Sequence, residues 1–188
     1  MQKDALKAFT EMHAAATKEG IQLVIKSAAR NFDYQHGIWQ RKWDGTTTLS
    51  DGTKATAIAD HAQRARKILE YSSMPGSSRH HWGTDIDINS FNNTYFAEGE
   101  GLELYTWMKN NAASYGYCQP YTAKGKLRPY GYNEEKWHWS YTPLSKIITA
   151  YAREHLTNAD LQGFEAAEVA DRVLVKERYI LGISEECF

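Results

Sequence analysis

Residues 84–89 read Thr-Asp-Ile-Asp-Ile-Asn, and that alternation leaves few ways for the segment to fold. Successive side chains of a strand point to opposite faces. Ile86 and Ile88 therefore belong to a core, with Asp85, Asp87 and Asn89 on the reverse side. Two carboxylates on one short face repel each other unless a cation or hydrogen-bond donors offset them. The preceding stretch, "SSRHHWG" (77–83), supplies candidates. His80 stands seven residues ahead of Asp87, on a loop made flexible by Pro75, Gly76 and Gly83. Such a loop can fold an imidazole back towards the aspartate.

A second segment, "NEEKWHWSY" (133–141), carries a matching pattern. Alternation puts Trp137, Trp139 and Tyr141 on one face of a strand, and His138 with Ser140 on the other. Glu135 would face away from His138 in a continuous strand, but a turn after Gly131 brings both to one site. Two histidines and an aspartate form a three-ligand set with a fourth position open for water, as catalytic zinc requires. Glu135 then reads as a base beside that water and not as a ligand. On spacing alone, packed or surface histidines explain the pattern equally well. His13, His36, His61 and His155 take that plainer reading, and His81 competes with its neighbour His80.

The rest of the chain is α+β in its order of elements. Leu6, Phe9, Met12 and Ala16 form one stripe of a helix over residues 3–19, which Gly20 ends. Residues 21–29 read as a buried strand, 31–43 as irregular or helical, and 44–54 as a polar loop. Residues 56–72 form a second helix with Ile58, Ala62, Ala65 and Leu69 inward, and a third covers 100–113. Helix then dominates from Pro143 to about residue 180. The expected architecture is a small antiparallel sheet carrying the site, flanked by helices. Residues 1–145 form the functional domain, and 146–188 a helical extension packed on it.

With 42% hydrophobic residues the 188-residue chain can bury a substantial core. Lys and Arg number 22 against 23 Asp and Glu, so no basic field favours nucleic acid or an anionic membrane. No apolar run is long enough to span a bilayer. Cys118 and Cys187 are read equally well as two free thiols or as a disulfide.

The two motifs also carry a resemblance. "SRHHWGTDID" matches S-x-H-x-x-G-x-A-x-D, and "EKWH" matches E-x-W-H. Together, over roughly residues 5–145, they resemble the zinc D-alanyl-D-alanine carboxypeptidases and dipeptidases of the VanY and VanX kind. Hedgehog signalling domains and some phage endolysin peptidases share that fold. "SAARNFDYQ" (27–35) is similar to the family's S-G-Y-R-S-x-x-x-Q, with Arg30 and Gln35 at the matching places.

The resemblance implies one zinc ion per chain, bound by His80, Asp87 and His138, with Glu135 as general base and Arg30 holding the carbonyl oxygen. Ser78 and Gln35 would line the pocket for the terminal D-alanine, and Trp137 joins the substrate-binding set. Asp85 departs from the pattern, which has alanine there. It is grouped with the substrate residues as a narrowing of range, beside two other readings: orienting a ligand histidine, or a buried structural role.

The implied activity is hydrolysis of the terminal D-alanyl bond of peptidoglycan stem peptides. L,D-carboxypeptidase or endopeptidase action, a non-catalytic hedgehog-like module and an aromatic-rich sugar-binding protein are the alternatives. Such a substrate places the protein in the periplasm or cell envelope, reached through a leader not included in this sequence.

Overall fold

A computed structural model covers residues 1–188. The elements are α1 (Lys3–Lys18), β1 (Ile25–Ser27), α2 (Phe32–Trp43), α3 (His61–Ile68), β2 (Asp85–Ile88), α4 (Gly99–Asn111), β3 (Tyr117–Cys118), β4 (His138–Tyr141), α5 (Thr142–His155) and α6 (Ala170–Val173). The four strands form one antiparallel sheet in the order β1-β2-β4-β3. The fold is α+β, with helices flanking a small antiparallel sheet.

The sheet separates two apolar clusters. Ile86, Ile88 and Trp139 pack with Phe9, Met12 and Ala16 of α1 and with Leu104 and Met108 of α4. The second cluster joins Trp39 and Trp43 of α2 and Ala62, Ala65 and Ile68 of α3 to Leu161, Val169, Val173 and Ile183 from the end of the chain. Cys118 of β3 is disulfide-bonded to Cys187, so of the two readings of the cysteines the paired one holds. Gly131, at φ 93°, lies so close to the carbonyl of Gly182 that a side chain there would strike main chain.

Several elements differ from their sequence readings. In α1 the buried stripe begins at Ala5, and Leu6 is 49% exposed, because the helix is rotated slightly from the expected face. β1 occupies only the middle of 21–29: its register shifts against β2, and Val24, next to it, is half exposed. The helix expected over 56–72 begins at His61, because the Asp60 side chain accepts the main-chain N–H of Gln63 and fixes the N-terminus there. Beyond His155 the chain is mostly short turns of helix and not one continuous element. The chain between Arg79 and Trp82, read as a flexible loop, is a 3-10 turn with Arg79 and His80 buried, ended by Gly83 in the left-handed conformation.

Candidate active site

The register of two strands creates the site. Asp87 of β2 lies directly opposite His138 of β4, and Asp85 opposite Ser140. Cross-strand neighbours of that kind stand about 5 Å apart at Cβ. The 3-10 turn before Gly83 then brings His80 over the same face. Candidate ligand atoms of His80, Asp87 and His138 all lie within 4.8 Å of one another, and all three residues are buried.

Each ring has its outer nitrogen tied. His80 Nδ1 faces the carbonyl of Ala28 at 2.7 Å, so it donates there and leaves Nε2 free, 3.2 Å from Asp87 Oδ2. His138 Nε2 lies 2.9 Å from Asp85 Oδ2, and its Nδ1 sits 3.1 Å from Asp87 Oδ1 and 3.3 Å from Glu135 Oε2. Asp87 Oδ1 is buried and has no hydrogen-bond partner. A buried carboxylate oxygen without a hydrogen-bond donor is costly unless something positive satisfies it. This donor set, two nitrogens and one carboxylate, suits a divalent ion such as zinc. His81, by contrast, uses both ring nitrogens on main chain, at Arg30 and Gly76, and stands apart from the cluster.

Glu135 reaches the cluster through a turn at Lys136–Trp137, closed by the His138 N–H on the Glu135 carbonyl. Asn93 clamps that turn, donating to the Glu134 carbonyl and accepting the Lys136 N–H. Gln119 donates to the Glu135 carbonyl, and the Glu135 N–H bonds to Tyr121. Arg30 Nη2 contacts Asp87 Oδ2 at 2.5 Å and His80 Nε2 at 3.1 Å, while its Nε donates to Ser27.

Charge and burial act in opposite directions here. Burial pushes the Glu135 carboxyl above its ordinary value, and the His138 hydrogen bond offsets part of the rise. Burial alone would also raise Asp87, but His80 and His138 hold it well below the usual carboxylate range. Burial lowers His80 despite the pull of Asp87. His138 goes the other way: its contacts to Asp85, Asp87 and Glu135 outweigh burial and lift it well above the usual imidazole value.

The cluster floors a cleft of about 780 Å³, within the range of small-molecule sites. Arg30, Ser78 and Trp137 line it, and Ser78 Oγ is buried without a partner. Trp137 forms part of one wall, stacked on Tyr71. Gln35 and Asp85 do not line the cleft. Gln35 lies buried beneath Arg30, its amide bonded to the Ser73 carbonyl and to Arg30 Nη1. Asp85 is fully buried behind His138. Both therefore sit one residue behind the cleft surface, Gln35 against Arg30 and Ser73 and Asp85 against His138. Sequence reasoning missed Lys42, a cleft cation lowered by burial and lacking a carboxylate partner. Its only signal was a lysine near the end of α2. It also missed Asn93 and Gln119, which act through main chain and leave no motif.

Comparison with known proteins agrees with this geometry. A Bacillus subtilis protein, YodJ, is 29% identical over 156 residues, covering 79% of this chain and 49% of its own. A D-alanyl-D-alanine carboxypeptidase of Enterococcus faecalis is 24% identical over 141 residues, covering 75% of this chain and 48% of that protein. The chain thus spans about half the length of these curated relatives. Among solved structures, VanYB in complex with D-alanine-D-alanine aligns with a TM-score of 0.60 at 21% identity, covering 82% of this chain and 78% of that one. A VanY D,D-pentapeptidase variant in complex with Zn(II) aligns at 0.59 and 22% identity, over 89% and 82% of the two chains. The family model described as "VanY: D-alanyl-D-alanine carboxypeptidase" matches residues 1–144, and the chain belongs to that family.

Proposed function

We propose that this family member is a zinc-dependent D,D-carboxypeptidase that removes the terminal D-alanine from peptidoglycan stem peptides. One ion is held by His80, Asp87 and His138. The observation that carries the reading is the convergence of these three buried side chains, with Asp87 Oδ1 unpartnered and Glu135 beside them. Zinc in such a site supplies a Lewis acid that polarises a carbonyl and acidifies water.

The protein supplies the remaining chemistry. Glu135, ionised, takes the proton of the attacking water and returns it to the departing amine, so the peptide C–N bond breaks with its charge balanced. Arg30 lies against the cluster, where its fixed cation stabilises the developing oxyanion; one such donor is worth about 3–4 kcal/mol. The unpartnered Ser78 hydroxyl and the Trp137 wall bind the terminal residue, and Lys42 offers a cation to a peptide carboxylate. The substrate places the protein in the cell envelope or periplasm. The Cys118–Cys187 bond supports that placement, since disulfides persist outside the reducing cytosol.

The test is incubation with tetrapeptide and pentapeptide stems, with and without chelator, followed by mass spectrometry. Loss of one terminal D-alanine from the pentapeptide, abolished by chelator and restored by zinc, is expected. Loss from the tetrapeptide instead means L,D-specificity, and internal cleavage means an endopeptidase. No cleavage by a zinc-loaded protein favours a binding module.

A further inference from the structure

Behind the proposed metal ligands lies an ion pair that the reaction does not use. Asp85 and Arg79 are buried to within 1% of full occlusion, and Arg79 Nε donates to Asp85 Oδ2 at 3.0 Å. Asp85 Oδ1 accepts from the hydroxyls of Thr84 and Ser140, both at 2.7 Å. The remaining neighbour of Oδ2 is His138 Nε2, at 2.9 Å. An ionised carboxylate only accepts hydrogen bonds, so its histidine neighbour must be the donor. That places a proton on His138 Nε2 and makes Nδ1 the ring nitrogen that faces Asp87 and Glu135.

The arginine is fixed as tightly. Its Nη2 donates to Ser140 Oγ at 2.8 Å and its Nη1 to Thr149 Oγ1 at 3.0 Å, with its carbon 4.5 Å above the Trp82 ring. Ser140 Oγ in turn donates to Asp85, and Thr149 Oγ1 donates to the Ser145 carbonyl. The donors therefore converge on one acceptor: Arg79, Thr84, Ser140 and the His138 ring all donate to the Asp85 carboxylate. Thr149 belongs to α5, beyond the residues matched by the family model. Asp85 stands where the family pattern has alanine.

We propose that Asp85 and Arg79 are positioning residues: Asp85 locks His138 in the Nε2–H tautomer so that Nδ1 faces the metal, and Arg79, moored to α5, holds the carboxylate in place. The inference rests on the zinc reading above. Partners that orient a ligand histidine in this way typically change metal affinity about 10–100-fold when removed.

Removing one member alone would strand a buried charge, so the test uses pairs. R79M/D85A removes both charges and the acceptor, whereas R79M/D85N keeps an amide oxygen facing Nε2. Zinc dissociation constants are measured by competition with a chelating dye, with circular dichroism and melting temperature as the check on folding. The alanine pair is expected to bind zinc about 10–100-fold more weakly than the parent, and the asparagine pair to recover most of the loss. Natively folded R79M/D85A with parental affinity overturns the proposal. Should that variant not fold, the zinc-loaded parent decides: two-bond proton–nitrogen couplings must show His138 protonated at Nε2, and a proton at Nδ1 overturns the assignment. A parent that takes up no zinc fails at the earlier step, the zinc reading, and takes this inference with it.

Discussion

Glu135 and His138 lie 3.3 Å apart, yet they should fail in different ways when replaced. A general base contributes about 10²–10⁴-fold to rate. Glu135→Ala is therefore expected to lose activity on that scale while retaining zinc, measured as metal content beside turnover. Near-parental turnover would remove Glu135 from its role. His138→Ala should lose metal and activity together. Protons compete with zinc at the same ring. His138 is lifted well above the ordinary imidazole value, so the metal-free protein holds its extra proton at neutral pH, and ligation must expel it. Protonation grows as pH falls, so zinc affinity should weaken with acidity by about tenfold per pH unit below that raised value. Competition titrations across neutral pH test this, and a flat profile contradicts it.

At the scale of elements, the pairing of β2 with β4 does more than any single residue. It puts Asp87 against His138 while Ile86 and Trp139 face the opposite core. Alternation in the sequence revealed which side each residue takes, because the period of a strand is local. It could not reveal that these two strands are neighbours. The turn bearing Glu135 is held from outside by Asn93, through two hydrogen bonds to main chain. Asn93→Ala should leave zinc binding intact and reduce kcat about tenfold, as loosened placement of a base does. Parental kcat would show that the turn needs no clamp.

Over the whole molecule, the end of the chain is joined to the site. The disulfide ties Cys187 to β3, Ser184 donates to the Gln119 carbonyl, and the Gln119 amide donates to Glu135. Leu161, Val169, Val173 and Ile183 share a core with α2 and α3. We expect the tail and body to unfold in one transition. The bond closes a loop of 69 residues, which corresponds to about 4 kcal/mol of stability. In a chain of this size that is about 10 °C in Tm, so reduction or the C118A/C187A pair should lower a calorimetric Tm by about that much. An unchanged Tm, or a separate melting of the tail, would contradict this.

Sequence alone determined the faces of β2 and β4, the residue types of the candidate metal site and, through two spaced motifs, the family. Those properties are local: a period of two and the chemistry of side chains within short segments. Tertiary structure decided which nitrogen of His138 faces Asp85 and which faces Asp87, that Gln35 and Asp85 lie behind the cleft and not in it, and that Cys118 meets Cys187. Each of these depends on contacts between residues far apart in the chain. Arg79 shows the boundary most sharply. In sequence it is an unremarked position inside a motif, and only its bonds to Thr149 of α5 and Ser140 of β4 make it the anchor of Asp85.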